Sequence, residues 1–168
     1  MMKILLTFST LLTACFIAIS CSAQNKETVG WVEYIRIYPG NFKIKARIDT
    51  GAKTSSIHAE NKETFQRNGK EWVRFTITNK KGKSFTLEKE VIRLAKIKQK
   101  GLYSQKRLVI KLDICLGSVY KETEVNLVDR SNFNYPVLLG RSFLADHFVV
   151  DPSVTFIKKT KCKVPKGK

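Results

Sequence analysis

Residues 42–48 read Phe-Lys-Ile-Lys-Ala-Arg-Ile, apolar at every even number, and run directly into Asp49-Thr50-Gly51. Such alternation has the side-chain period of a strand with one face in a core. Helical spacing is scarce in the rest of the chain, and short alternating runs dominate. Residues 31–37 alternate with an apolar set at Trp31, Ile35 and Ile37. Residues 72–78 are followed by Asn79-Lys80-Lys81-Gly82 and then Phe85-Thr86-Leu87, a hairpin signal. Residues 108–114 and 119–128 flank Gly117-Ser118 as a second hairpin. Pro39-Gly40-Asn41 and Asn68-Gly69 supply further turns. The expected class is all-β, most simply a closed barrel. One late segment differs: residues 142–147 read as one or two helical turns, before strand and turn return at 148–153.

The N-terminus has a different character. Lys3 precedes an apolar stretch over residues 4–12, too short for a stable transmembrane helix, and small residues and cysteines follow. This reads as an export signal. Three processing sites compete: Leu12-Thr13-Ala14-Cys15 and Ala18-Ile19-Ser20-Cys21 as lipoboxes, and Cys21-Ser22-Ala23 for ordinary cleavage. Lipidation at Cys21 is favoured over Cys15, because cleavage before Cys15 would strand Phe16-Ile17-Ala18-Ile19 on the mature chain. The expected layout is a lipoprotein-type signal at 1–21, a tether at 22–28, one domain at 29–158 and a basic tail at 159–168. Export places the chain in the periplasm, free or membrane-anchored.

The formal net charge is +17, and removing residues 1–21 takes away one lysine, leaving +16. In a cytosolic chain this would suggest nucleic acid; export argues against that partner. Attraction to an acidic polypeptide or to anionic head groups remains, and charge alone does not choose. Of the four cysteines, Cys115 and Cys162 fall beyond the leader. An oxidising compartment permits a disulfide between them, and two free thiols are equally consistent with the sequence. No CxxC pair or Cys-His cluster points to a metal framework.

An ionised carboxylate beside a core is costly unless paired or hydrogen-bonded, so Asp49 is a candidate for chemistry. The segment Ala46-Arg47-Ile48-Asp49-Thr50-Gly51-Ala52 resembles the active-site Asp-Thr-Gly-Ala of retropepsin-type aspartic peptidases. Pro136-Val137-Leu138-Leu139-Gly140-Arg141 resembles the apolar-apolar-Gly that supports the aspartate there. The match is closer still to a bacterial family of retropepsin-like proteins often labelled ATP-dependent zinc proteases. It extends through Gly30-Trp31-Val32, Thr54-Ser55-Ser56-Ile57-His58-Ala59, Gly69-Lys70-Glu71-Trp72-Val73-Arg74-Phe75, Arg107-Leu108-Val109-Ile110 and Val150-Asp151-Pro152-Ser153. That family usually carries Arg where Lys53 stands and Leu where Ile57 stands.

The resemblance implies an aspartic endopeptidase in which two carboxylates share a proton. Asp49 would supply the carboxylate. The Thr50 hydroxyl would tie two catalytic loops together, Gly51 would allow a tight turn and a close backbone N–H, and Ala52 would keep the cleft floor small. Leu138, Leu139 and Gly140 would brace the loop, and Arg141 would meet a carboxylate at a dimer interface. Lys53, Thr54, Ser55, Ser56 and His58 are candidates for holding the loop or the substrate. Only one Asp-Thr-Gly is present, so the second aspartate must come from a second copy and the active species is a homodimer.

The label itself finds no support: GxxxxGK[ST] and HExxH are both absent. No cofactor or metal is therefore assigned. Two other readings remain open, a zinc peptidase using Asp49, His58 and His147, and a peptide-binding module without catalysis. The flap over the cleft could be residues 79–84 or 116–120. The substrate is expected to be a polypeptide, with the charge pointing to acidic peptides but naming no residue that would read them.

Overall fold

The computed structural model describes residues 25–99 and 102–165. The leader, Cys15, Cys21, the first three residues of the tether and the last three residues of the basic tail lie outside those residues. The elements are β1 (Glu27–Tyr38), β2 (Phe42–Ile48), β3 (Ser55–His58), β4 (Glu60–Arg67), β5 (Lys70–Thr78), β6 (Ser84–Gln99), β7 (Leu102–Leu116), β8 (Val119–Val128), β9 (Val137–Leu139), α1 (Arg141–Leu144) and β10 (Phe148–Thr155).

Strands β1, β2, β9, β3, β8 and β7 pair in that order, and β7 pairs back to β1, closing a six-stranded barrel. The all-β expectation holds. Strand β10 lies parallel to β1 outside the ring, and β6, β5 and β4 extend from β7. β6 changes partner midway: Ser84 to Glu90 pair with β5, and Val91 onward pair with β7.

Local chemistry explains much of this. Phe42, Ile44, Ala46 and Ile48 all point into the core, as their alternation requires. They meet Ile35, Ile37, Leu112, Ile114 and Val125 there, each buried large side chain contributing about 1.5–3 kcal/mol. The two-residue turn Asn68-Gly69 has φ of 52° and 73°, the left-handed pair that matches hairpin twist. The Gly117 hairpin likewise joins β7 and β8, with Leu116 opposite Val119.

Two expectations need correction. Trp31 does not share the core face with Ile35 and Ile37; it is 39% exposed and meets Tyr135 edge-on at 5.9 Å. The cause is a register shift between Gly30 and Val32, where β10 presses against the backbone of β1. A Cβ on Gly30 would lie 2.8 Å from Thr155 Cα, so only glycine fits. The helix also differs: it starts at Arg141, spans four residues, and ends before Asp146, whose φ of 70° leaves helical space.

Candidate active site

β2 delivers Asp49 to the rim of the barrel. Ile48 pairs with Leu139 of β9 in parallel register, and the next amide, Asp49 N–H, donates to the Leu139 carbonyl at 2.9 Å. The chain then turns back on the carboxylate. Gly51 N–H and Ala52 N–H donate to Asp49 Oδ1 at 2.9 and 3.2 Å. Among the described residues Oδ2 accepts no hydrogen bond. One oxygen is thus anchored by backbone dipoles, and the other is left for water or a second carboxyl group. Gly51 has no left-handed φ. Its lack of a side chain leaves room for the carboxylate, because a Cβ there would press on Oδ1 at 3.2 Å.

The apolar-Gly segment braces this turn by contact. Leu139 is fully buried, and Gly140 packs so closely that a Cβ would lie 2.9 Å from the Ala52 carbonyl oxygen and 3.0 Å from that of Lys53. The first amides of α1 close the clamp: Arg141 N–H donates to Ala52 O at 2.8 Å and Ser142 N–H to Lys53 O at 3.0 Å. The Arg141 side chain donates from Nη1 to the carbonyls of Thr50 and Gly51 at 2.9 and 2.8 Å. Within one chain it therefore holds the aspartate turn instead of a carboxylate.

A cleft of ≈ 1090 Å³ opens beside the turn. Ala52, Lys53, Thr54 and Ser56 line it, and so does Leu138, which the resemblance assigns to the brace. Ser55 does not: it is fully buried, and its Oγ accepts the Gly140 N–H at 3.2 Å. His58 also stands apart from the lining. Its Nδ1 accepts the Arg130 backbone N–H at 2.8 Å, and its ring lies 3.4 Å from both Glu60 and Asp129. His147 packs edge-on to Phe148. Among the described residues no group of three His, Cys, Asp or Glu side chains could hold a metal ion, so Asp49, His58 and His147 are not gathered in one chain.

The remaining walls come from residues that, apart from Arg107, lie outside the segments that carry the resemblance. Arg93 to Lys96 of β6 and Arg107 of β7 form one side, and Lys121, Asn126 and Arg130 another. Neither candidate flap lines this cleft. Asn79 faces a smaller cavity with Tyr34 and Lys43, and the Gly117 turn contacts Glu27. The cleft is rich in cations, with Arg93 paired to Glu124. Burial, with Arg47 and Arg107 nearby, pulls the Arg130 guanidinium below its ordinary value, and Asp49 pulls the other way.

Comparison with known proteins supports the fold. A region of a probable alpha-L-glutamate ligase from Shewanella pealeana is 41% identical over 139 residues, 80% of this chain but 30% of that protein. A protein of the same description from Desulfotalea psychrophila is 39% identical over 66% of this chain and 25% of its own length. The chain thus spans less than a third of these curated relatives. The crystal structure of Lpg0085, a Legionella pneumophila protein of unknown function, superposes with a TM-score of 0.70 at 35% identity, covering 80% of this chain and all of that one. The family model described as "RimB-like: Retropepsin-like aspartic endopeptidase RimB" matches residues 28–161, and the chain belongs to that family.

Proposed function

We propose that the chain is an aspartic endopeptidase that acts as a homodimer on acidic polypeptides. The observation that carries this is the Asp49 carboxylate, anchored through Oδ1 by Gly51 and Ala52 with Oδ2 unoccupied by any described residue. Two such groups related by a two-fold axis would hold one water between them. The ionised carboxylate takes a proton from that water, whose oxygen adds to the scissile carbonyl carbon. The protonated carboxyl gives its proton to the carbonyl oxygen. Collapse of the tetrahedral species breaks the C–N bond as the leaving nitrogen is protonated, yielding a carboxylic acid and an amine.

Two features support an acidic substrate. Lys53, Lys96, Arg107 and Lys121 border the cleft. Relatives described as probable alpha-L-glutamate ligases carry a region like this chain on a longer polypeptide, a neighbour whose chemistry would supply glutamate-containing peptides. The leader supports export and lipidation at Cys21, which mass spectrometry of the mature N-terminus would test.

The deciding experiment compares wild type with Asp49→Asn on glutamate-rich peptides. Cleavage is expected to fall at least about 10²-fold while the dimer persists in sedimentation. Cleavage surviving in Asp49→Asn would overturn the aspartic mechanism, and binding with no cleavage by wild type would leave a peptide-binding module.

A further inference from the structure

We propose that Arg130 reads a substrate carboxylate in this cleft, an inference that rests on the acidic-peptide reading above. Arg130 follows the end of β8 and is only 9% exposed, yet it borders the cleft on one side and a cavity of ≈ 260 Å³ with Arg47 and Tyr135 on the other. Its guanidinium is held by neutral groups. Nε donates to the Tyr135 carbonyl at 3.0 Å, and Nη1 donates to Ser56 Oγ at 3.2 Å. The Phe133 ring lies 4.5 Å from Cζ, and the backbone N–H is fixed by His58 Nδ1.

Among the described residues no carboxylate forms an ion pair with it, and Nη2 donates to no described residue. A buried cation without a counterion is costly, because lost hydration is not replaced by an opposite charge. A ligand carboxylate would supply that charge to the donors left on a guanidinium already fixed at Nε and Nη1, a planar arrangement that an ammonium does not reproduce. Lys53 is different: exposed and hydrated, it would attract acidic chains without choosing a position on them. Among the described charges, Arg47 and Arg107 repel Arg130 and Asp49 attracts it without contact, while the neighbouring Asp129 lies against His58.

The test uses the full mature chain carrying Asp49→Asn, so that binding is read whether or not the wild type cleaves. The probe is an octamer of glutamate and its eight single Glu→Gln variants, with affinity measured by calorimetry. One position is expected at which Glu→Gln weakens binding about 10-fold or more. Adding Arg130→Gln should erase the dependence at that position alone, and Arg130→Lys should restore part of it. Retention of that dependence in Arg130→Gln would overturn the proposal. Should Arg130→Gln fail to fold, nuclear magnetic resonance on the Asp49→Asn protein decides. The Arg130 Nε–H signal must move with the glutamate octamer and stay with the position-specific Gln variant; an unmoved signal refutes the assignment. A failure of cleavage in wild type, with these shifts intact, would sink the peptidase reading and leave the subsite standing.

Discussion

Arg141 Nη1 donates to the Gly51 carbonyl at 2.8 Å, joining the start of α1 to the turn that carries Asp49. The same atom reaches Thr50 O at 2.9 Å. The bonds are solvent-exposed, so their contribution to stability is about 1 kcal/mol. Their effect on position should be larger. An Arg141→Ala chain is expected to unfold at nearly the wild-type denaturant midpoint but to lose about 10²-fold in kcat, since small displacements of a catalytic group are costly. Arg141→Lys should recover part of the loss, because one nitrogen makes both bonds and an ammonium can donate to two carbonyls, although from a differently shaped side chain. Steady-state kinetics beside a urea titration would check this; equal losses in stability and rate would refute it.

Glu27 gives a pH-dependent prediction. Burial raises its carboxyl, but the Ser118 hydroxyl and N–H, with Lys158, outweigh burial and hold it below the ordinary value of 4.5. A depressed folded-state value means the contribution is fully present above 4.5 and disappears as pH falls through the folded value. Glu27→Gln should therefore cost about 1 kcal/mol at pH 7 and nothing at pH values below the folded-state value. Denaturation at a series of pH values would show the gap closing; a constant gap would contradict it.

Cys115 and Cys162 form a disulfide across 47 residues of sequence, a pairing the sequence left open. It ties the C-terminal segment to the β7 hairpin, where Lys161 N–H also donates to the Gly117 carbonyl at 2.7 Å. Closing a loop of that length removes denatured-state freedom equivalent to about 4 kcal/mol. Cys162→Ser should lose most of that in chemical denaturation and expose the lysines around position 160 to trypsin. A variant as stable as the oxidised wild type would show that the tail is held by other contacts.

Two readings failed for reasons that are physical. The alternation at 31–37 placed Trp31 inward and passed over Glu33. In the fold Trp31 faces outward and Glu33 is fully buried, its Oε1 accepting the amides of Gly30 and Ile157 and its Oε2 that of Lys158. Two of those donors lie more than a hundred residues away, so no local window reveals them. Arg130 was missed for the same reason: its partners Ser56 and His58 lie on β3, 74 and 72 residues away, and only Tyr135 is near in sequence. Ser55 and Ser56, adjacent and alike in sequence, were divided by strand alternation into a buried brace and a cleft residue.

What the sequence by itself determined is what short-range chemistry controls. Period-two alternation specified the strands, Asn-Gly and Gly-Ser pairs specified turns, and Asp49-Thr50-Gly51 with Leu138-Leu139-Gly140 specified the aspartate turn and its brace. Tertiary structure decided which cations border the cleft, that Arg141 grips Thr50 and Gly51, that Cys115 meets Cys162, and that Arg130 is buried with no carboxylate of the described residues bonded to it. Those outcomes depend on segments far apart in the chain meeting across a closed barrel. Such meetings are selected by strand pairing and core packing as a whole, and no spacing along the chain encodes them.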